Sequence, residues 1–450
     1  MKDLILDNAR IFLSGSIPEK YTFSYYMNVN TNIKAVFLPI NTDEISKIVK
    51  YCYDNNIKFI PQASGTGAVG GQFNVLDGVV IIDMSLMDNI LDVNLDTMTI
   101  TVEPGVKLGT IQNLLEDTNF FYPPDPGSKD SSIGGNVSTN AGGMRAIKYG
   151  TTRNYVKELE IVLPDGRKTV IGGLTVKDAS GYDLKDLFIG SEGTLGIVTK
   201  IKLRIIPRPK YNKSLILAFD KTTQAALTVT KILNSGYLPT ALELFDKETI
   251  EYSEKYLNTK FPSQMGHSYV LSTFDGMDEK AIDLILEEIM NKYKVHAKEI
   301  ILLNKDQAKT AWQLRDNILY ALMSLTKYEM LDEVVPIHHF AEMISYTKEL
   351  EKKYHTTILN FGHAGDGNIH TLLLQENKTD EQWNLVRKNI LDDLYTKVYE
   401  LGGLISAEHG IGYIKRDYFL KHTDKVKVEI MRSIKKALDP KGLLNPNKVI

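Results

Sequence analysis

The 450 residues carry 43% apolar and 24% charged side chains, the balance of an ordinary soluble globular protein with room for two domains or more. A formal net charge of −3 leaves no basic footprint for nucleic acid. The single cysteine, Cys52, excludes an intrachain disulfide framework, a cysteine-ligated iron–sulfur cluster and a CxxC redox pair within the chain.

The opening "MKDLILDNARIFLSG" is interrupted by Asp3, Asp7 and Arg10 and has no small-residue cleavage site, so a secretory signal is not expected. No apolar run approaches the roughly 20 residues that span a bilayer. A cytoplasmic protein without a transmembrane segment is expected, with peripheral membrane contact left open. Residues 43–56, "DEISKIVKYCYDNN", space apolar side chains by three and four behind Asp43, which predicts a helix capped by that aspartate. Cys52 falls on its apolar side and reads as a packing thiol.

The strand "IKFIPQ" leads into "ASGTGAVGGQFNVLDG" and then the strand "VVIIDM". Gly65 to Gly70 spell G-x-G-x-x-G, but only "GQFNVLDG" separates Gly70 from the next strand. A nicotinamide-dinucleotide fold needs a helix opening at that last glycine, and none fits. What remains is strand–loop–strand: either a nest of backbone N–H groups able to hold phosphate, or a tight structural loop. "TMTITVEPGV" then reads as a strand ending at Pro104-Gly105, and "KLGTIQNLLEDTN" as a helix. Residues 120–154, crowded with Gly, Pro, Ser and Asn, form a long loop of the functional kind. The small side chains of "SSIGGNVSTNAGG" would let a flat ring or a pyrophosphate lie against the backbone. Together the two loops suggest a dinucleotide held without a Rossmann helix.

"VKELEIVLPDG" and "EGTLGIVTKIKLRIIPRPK" read as strands, and Pro207 and Pro209 punctuate a domain boundary. Beyond it, helices such as "TTQAALTVTKILNSG" and "DEKAIDLILEEIMNKY" alternate with strands, predicting a sheet covered by helices. His338 and His339, in "VPIHHF", read as structural. In "NFGHAGDGNIHTLLL", His363 and His370 flank a turn whose Asp-Gly step favours a hairpin. Two imidazoles facing each other there suit a metal or a pair of hydrogen-bond donors; turn histidines capped by backbone are the plainer reading.

Three stretches, "PQASGTGAVGG", "PPDPGSKDSSIGGNVSTNAGG" and "GSEGTLGIVTKIKLRIIP", resemble in order and spacing the FAD-binding domain of the vanillyl-alcohol oxidase and p-cresol methylhydroxylase (PCMH) type. "GHAGDGNIH", "SAEHGIG" and "LDPKGLLNPNKVI" resemble the branch containing flavin-dependent D-lactate dehydrogenases, glycolate oxidase subunits and D-2-hydroxyglutarate dehydrogenases. The likeness runs from about residue 30 onward. It implies an α+β fold: a PCMH-type FAD domain of two α+β subdomains at 1–208, completed by 415–450, and a cap domain at 209–414. The cap would have a largely antiparallel sheet covered by helices and would carry a metal site.

By the same resemblance, Gly65, Thr66, Gly67, Gly70 and Gly71 would line the FAD pyrophosphate. Pro124, Asp125, Ser132, Gly134, Gly135, Asn140, Gly142, Gly143, Arg145 and Tyr149 would follow the ribityl chain and flavin, with Gly193 and Ile197 near the adenosine end. Some relatives attach FAD through a histidine in the first glycine loop; this loop has none, so noncovalent FAD is expected. The resemblance makes His363, His370 and Glu408 ligands of a divalent metal (zinc, iron or manganese) and His409 the catalytic base. Arg315 matches an arginine that binds substrate carboxylate, its alternative being an ordinary salt bridge. Trp312 reads as core.

Where the hydroxyglutarate branch has polar residues for a second carboxylate, this chain has Leu319, Met330 and Leu372, which favours a small monocarboxylate such as D-lactate. The expected reaction is oxidation of a D-2-hydroxy acid by FAD. Electrons would pass to an electron-transfer flavoprotein, an iron–sulfur subunit or a quinone, a soluble protein partner being favoured. The alternatives are a D-2-hydroxyglutarate or glycolate dehydrogenase, an alcohol or phenol oxidase without a metal, and a noncatalytic flavoprotein subunit of a complex.

Overall fold

In the first third of the chain, strands Ile33–Phe37, Val79–Asp83 and Phe59–Gln62 pair in parallel in that spatial order, with Ile11–Leu13 antiparallel at one edge. Val79–Asp83 is buried at every position, because a parallel strand covered on both faces meets water on neither. Helix Thr42–Asp54 packs Ile45, Ile48, Val49 and Cys52 into the same core. Its cap is Asn41, two residues ahead of the expected Asp43: Asn41 is in extended backbone and its side chain accepts the Glu44 N–H at 2.9 Å. Burial pushes the Cys52 thiol up to about 12, which leaves it an inert packing group. Residues 63–78 contain no helix, so the strands on either side are joined by the glycine loop alone.

This computed structural model describes residues 4, 7–22, 32–324 and 326–450; parts of the opening "MKDLIL" lie outside them. The chain divides into two units, one of Met1–Gly142, Thr151–Arg208 and Glu408–Ile450, the other of Gly143–Gly150 and Pro209–Ala407. The first unit adds a five-stranded antiparallel sheet in the order Ile90–Asn94, Thr99–Val102, Ile197–Arg204, Val156–Val162, Lys168–Gly172. Its last segment is built into the parallel sheet: the Phe59 N–H donates to Leu443 O (2.9 Å) and the Asn445 N–H to Phe59 O (2.8 Å). Inside the stretch read as a loop from 120 to 154, Ser132 caps a short helix, Ile133–Thr139, which Asn140 ends in the left-handed region.

The second unit is an eight-stranded antiparallel sheet. Its spatial order is Glu299–Leu302, Tyr211–Phe219, Ser268–Gly276, Ala241–Asp246, Ile358–Gly362, Asn368–Leu374, Tyr328–Met330, with Glu333–Val334 also paired to Asn368–Leu374. Helices Thr222–Leu233, Lys247–Leu257, Glu279–Tyr293 and Phe340–Tyr354 pack on it. The fold is thus α+β, with an antiparallel sheet under helices in the second unit, the architecture the sequence resemblance implied.

One knot of rings in the second unit is closely interlocked. Phe245 meets Phe261 edge-on at 5.5 Å and Tyr269 at 5.8 Å, all three nearly without exposed surface. Phe245→Ala should therefore lower the stability of this unit by about 3–5 kcal/mol, the usual cost of emptying a buried aromatic site. Denaturant unfolding followed by tyrosine and tryptophan fluorescence checks this; a shift under about 1 kcal/mol would mean the cavity collapses or the rings are loosely packed.

Candidate functional site

A cleft in the first unit is floored by backbone from both glycine-rich stretches. Gly65, Thr66, Gly67, Gly71, Ser132, Gly134, Gly135 and Gly193 line it, with Gln62, Ser64, Asn136, Glu192 and His409. Ser132 ties the two stretches together: its N–H donates to Ser64 Oγ at 2.9 Å, and its own Oγ accepts the Gly135 N–H at 3.3 Å. Two glycines are demanded by close approach. A Cβ at Gly134 would sit 2.6 Å from Pro104 Cβ, and one at Gly193, where φ is +66°, 2.9 Å from Pro61 Cγ. Asn136 is 4% exposed, and its Nδ2 finds no acceptor among the described residues. A buried donor lining a cleft of backbone amides fits an oxygen-rich ligand such as a dinucleotide.

The other residues expected to touch cofactor lie outside this lining. Gly70 turns the first loop at φ +71°, and Pro124 is buried beside Asp125, which accepts from Gln112 Nε2 at 3.0 Å. Asn140 Oδ1 accepts from Thr151 Oγ1 (2.9 Å) and the Arg153 N–H (3.0 Å). At Gly142 a Cβ would come 3.0 Å from Glu408 Oε2, so the absent side chain makes room for that carboxylate. Gly143, Arg145 and Tyr149 belong to the second unit, where the Tyr149 hydroxyl donates to Asp275 Oδ2 at 2.9 Å. Ile197 opens a strand and is buried in the core.

The second unit holds the histidine hairpin. Strands Ile358–Gly362 and Asn368–Leu374 pair antiparallel with Phe361 opposite His370, and residues 363–367 make the turn. Gly367 supplies the positive φ, +85°, and lies so close to Val335 O that no Cβ fits. The two imidazoles stand edge-to-face, centroids 5.2 Å apart at 85°, and both residues are buried.

Two carboxylates that the sequence reading did not single out organise this turn. Glu243, on strand Ala241–Asp246, has no exposed surface; its Oε1 lies 2.8 Å from His363 Nδ1 and its Oε2 accepts from Arg315 Nε at 2.7 Å. Burial alone would raise the Glu243 carboxyl, but the Arg315 guanidinium and His363 hold it below the usual range. Arg315 thus faces a protein carboxylate, and its guanidinium also stacks over the Phe361 ring at 5.4 Å. Asp332, likewise fully buried, lies 3.8 Å from His370 Nδ1 and accepts from Asn368 Nδ2 at 3.1 Å. It also fixes Ala407, whose N–H lies 3.1 Å from Asp332 Oδ2 and 2.9 Å from its carbonyl oxygen. Glu408 and His409 follow Ala407 directly and group with the first unit. A charged residue inside an apolar strand, as in "TALELFD" and "YEMLDEVV", was the signal available for both acids.

Leu319, Met330 and Leu372 share one apolar cluster with Trp312 and Phe361. Trp312 keeps its indole N–H 3.3 Å from Ser214 Oγ. His338 and His339 lie in the short helical turn Ile337–His339, where His339 Nδ1 is 2.9 Å from Glu342. Among the described residues no helix is long and apolar enough to cross a membrane.

Residues 33–172 match the family described as "FAD binding domain", and residues 208–449 match "FAD linked oxidases, C-terminal domain". The chain belongs to this family of FAD-linked oxidoreductases, and its FAD-binding fold is of the PCMH type. It is 38% identical to a D-lactate dehydrogenase of Anaerostipes hadrus, over 91% of this chain and 88% of that one. It is 36% identical to the glycolate oxidase subunit GlcD of Bacillus subtilis, over 92% and 88%. Its fold superposes on p-cresol methylhydroxylase with a TM-score of 0.82 at 15% identity, over 100% of this chain and 95% of that one.

The Glu243–Arg315 pair invites a mutant cycle. Glu243→Leu alone leaves a guanidinium buried without its carboxylate and should cost about 3–5 kcal/mol. Adding Arg315→Leu should return much of that loss, since an apolar pair of similar volume is about as stable there. Additive losses in chemical denaturation would mean the two side chains are not coupled.

Proposed function

We propose that this FAD-linked oxidoreductase is a metal-dependent D-2-hydroxy-acid dehydrogenase, acting in the cytoplasm on a small monocarboxylate, D-lactate in the simplest case. The observation that supports it most is the buried Glu243–His363 contact on the hairpin, because a carboxylate on one ring nitrogen is how a protein presents the other to a metal. The names of the relatives, a D-lactate dehydrogenase and a glycolate oxidase subunit, point to the same substrate class.

Bound FAD would supply the hydride acceptor that turns a hydroxy acid into an oxo acid. Its pyrophosphate would lie along Gly65, Thr66, Gly67, Gly70 and Gly71, its flavin end along the 124–149 segment and its adenosine end near Gly193 and Ile197. A divalent metal held by His363, His370 and Glu408 would polarise the substrate hydroxyl and carboxylate. Glu243 accepts the Nδ1 proton of His363 and so fixes the tautomer with Nε2 available as a ligand. Asp332, 3.8 Å from His370 Nδ1, places a second negative charge beside that ring. His409 takes the hydroxyl proton on an imidazole nitrogen. Arg315, its fork aimed by Glu243, is the proposed partner of the substrate carboxylate. The side chains of Leu319, Met330 and Leu372, packed in one apolar cluster, have no donor of their own for a second carboxylate, which supports a monocarboxylate over hydroxyglutarate.

The test is the visible spectrum of the purified holoenzyme without oxygen. D-lactate should bleach the flavin, FAD should leave the polypeptide on acid treatment, and elemental analysis should find a divalent metal that His363→Ala loses. His409→Ala should keep FAD and metal yet slow bleaching at least about 100-fold. Bleaching by D-2-hydroxyglutarate or glycolate in preference would reassign the substrate, and none by any hydroxy acid would leave an alcohol or phenol oxidase or a noncatalytic flavoprotein.

The electrons would then leave the chain, whose single cysteine builds no cluster and whose Gly70 opens no helix for a nicotinamide dinucleotide. A separate protein, an electron-transfer flavoprotein or an iron–sulfur subunit, is the proposed acceptor, with a quinone as the other option. Sustained D-lactate oxidation is expected with an artificial dye or such a partner; turnover with NAD⁺ alone would defeat the proposal.

A further inference from the structure

The "EHGIG" segment is strapped to the first unit by a residue no comparison assigns. Glu192 is buried, with φ +51°, and its own N–H donates to Ser138 O at 2.7 Å. Its Oε1 accepts the Ile411 N–H at 2.7 Å and its Oε2 the Gly412 N–H at 2.8 Å. Two consecutive amides on one carboxylate form a bidentate clasp that begins two residues after His409. The backbone there is shaped around it. Gly410 has φ +87°, and a Cβ at that position would fall 2.8 Å from the Glu192 carboxyl carbon. Tyr413 and Ile414 then donate their N–H groups to Val69 O, at 2.9 and 3.1 Å, on the first glycine loop. Asn445 Nδ2 closes the clasp from behind, donating to Glu192 O (2.9 Å) and Gly71 O (3.1 Å). Glu192 and His409 line the same cleft.

We infer that Glu192 is a positioning residue for His409, holding its imidazole in the cleft through the backbone of Gly410, Ile411 and Gly412. The inference rests on the proposed role of His409 as base. Only a carboxylate fits the clasp, since two facing N–H donors need two acceptor oxygens. A glutamine would turn its own NH₂ toward one of them. The group is costly to keep: burial raises its carboxyl to about 6, against the pull of the Ile411 and Gly412 amides and of Lys415 and Lys448. Lys448, itself buried, is pushed down to about 8 by burial. A charge kept in such a place at neutral pH is consistent with a task beyond packing.

The experiment uses the FAD-loaded full chain. In the unmodified protein, the amides of residues 411 and 412 should be among the slowly exchanging ones in hydrogen-exchange mass spectrometry; fast exchange there overturns the inference. In Glu192→Gln they should exchange about 10- to 100-fold faster, the worth of a hydrogen bond to a charged acceptor. FAD content and the KM for D-lactate should stay within about threefold while flavin reduction slows at least about 10-fold, the signature of a misplaced base. Reduction at the normal rate, or unchanged exchange, overturns it. Should Glu192→Gln shed FAD, Gly410→Ala disturbs the clasp from the other side and should give the same slowing; normal reduction in that variant overturns the inference. His409→Ala separates the two readings. If it reduces flavin normally the base assignment has failed, whereas slow His409→Ala beside normal Glu192→Gln refutes the strap alone.

Discussion

Everything at the hairpin depends on keeping one carboxylate charged where water does not reach. Glu243 has no exposed surface, and a bare carboxylate there would cost several kcal/mol. Arg315 and His363 remove most of that penalty, and in being drawn to it they are fixed themselves. The arrangement runs against the ordinary preference for an apolar strand interior, which strand Ala241–Asp246 otherwise follows. Such a violation is tolerated in folds chiefly where a side chain must be aimed. Glu243 aims two: the hairpin histidine by its Nδ1, and the arginine by its Nε and terminal nitrogen.

The parts of the fold that follow from backbone chemistry were legible in the sequence. The failure of Gly65–Gly70 to open a helix could be read from the spacing to the next strand, because eight residues containing an Asp-Gly turn leave no room for one. The hairpin could be read from its turn, and the register that sets Phe361 opposite His370 follows from it. Long-range partnerships were another matter. Glu243 lies 120 residues from His363, and Glu192 lies 219 from Ile411. Nothing in either local pattern says which distant group a buried acid will meet. Arg315 shows the consequence: the family resemblance pointed it at a substrate carboxylate with a salt bridge as the alternative, and the protein carboxylate it meets, Glu243, could not be named from the sequence.

The helix cap illustrates a smaller gap of the same origin. Asp43 and Asn41 are both good capping residues two positions apart, and propensity does not separate them. The backbone does: Asn41 is extended and its side chain reaches the Glu44 N–H. Glu44 is in turn engaged by Arg10, which donates from both terminal nitrogens at 2.6 and 2.8 Å. That ion pair joins residues 34 apart and so draws the helix start to one place.

The same logic, a buried acid holding backbone amides, recurs within each unit near the segment that carries Glu408 and His409. In the second unit Asp332 accepts the Ala407 N–H; in the first Glu192 accepts those of Ile411 and Gly412. Within the first unit, Gly410 is the residue whose φ of +87° lets the chain turn from His409 into the clasp. A histidine two residues ahead of so tight a clasp has fewer backbone states left, so less entropy remains to be lost when it is put to use. Neither anchor needs to touch a substrate to matter. A base that reaches its proton only in a narrow range of geometries gains more from a rigid backbone than from further contacts of its own. The cost of burying the Glu192 carboxylate is then borne beside the one stretch of chain where a displacement of an ångström would be felt in the chemistry.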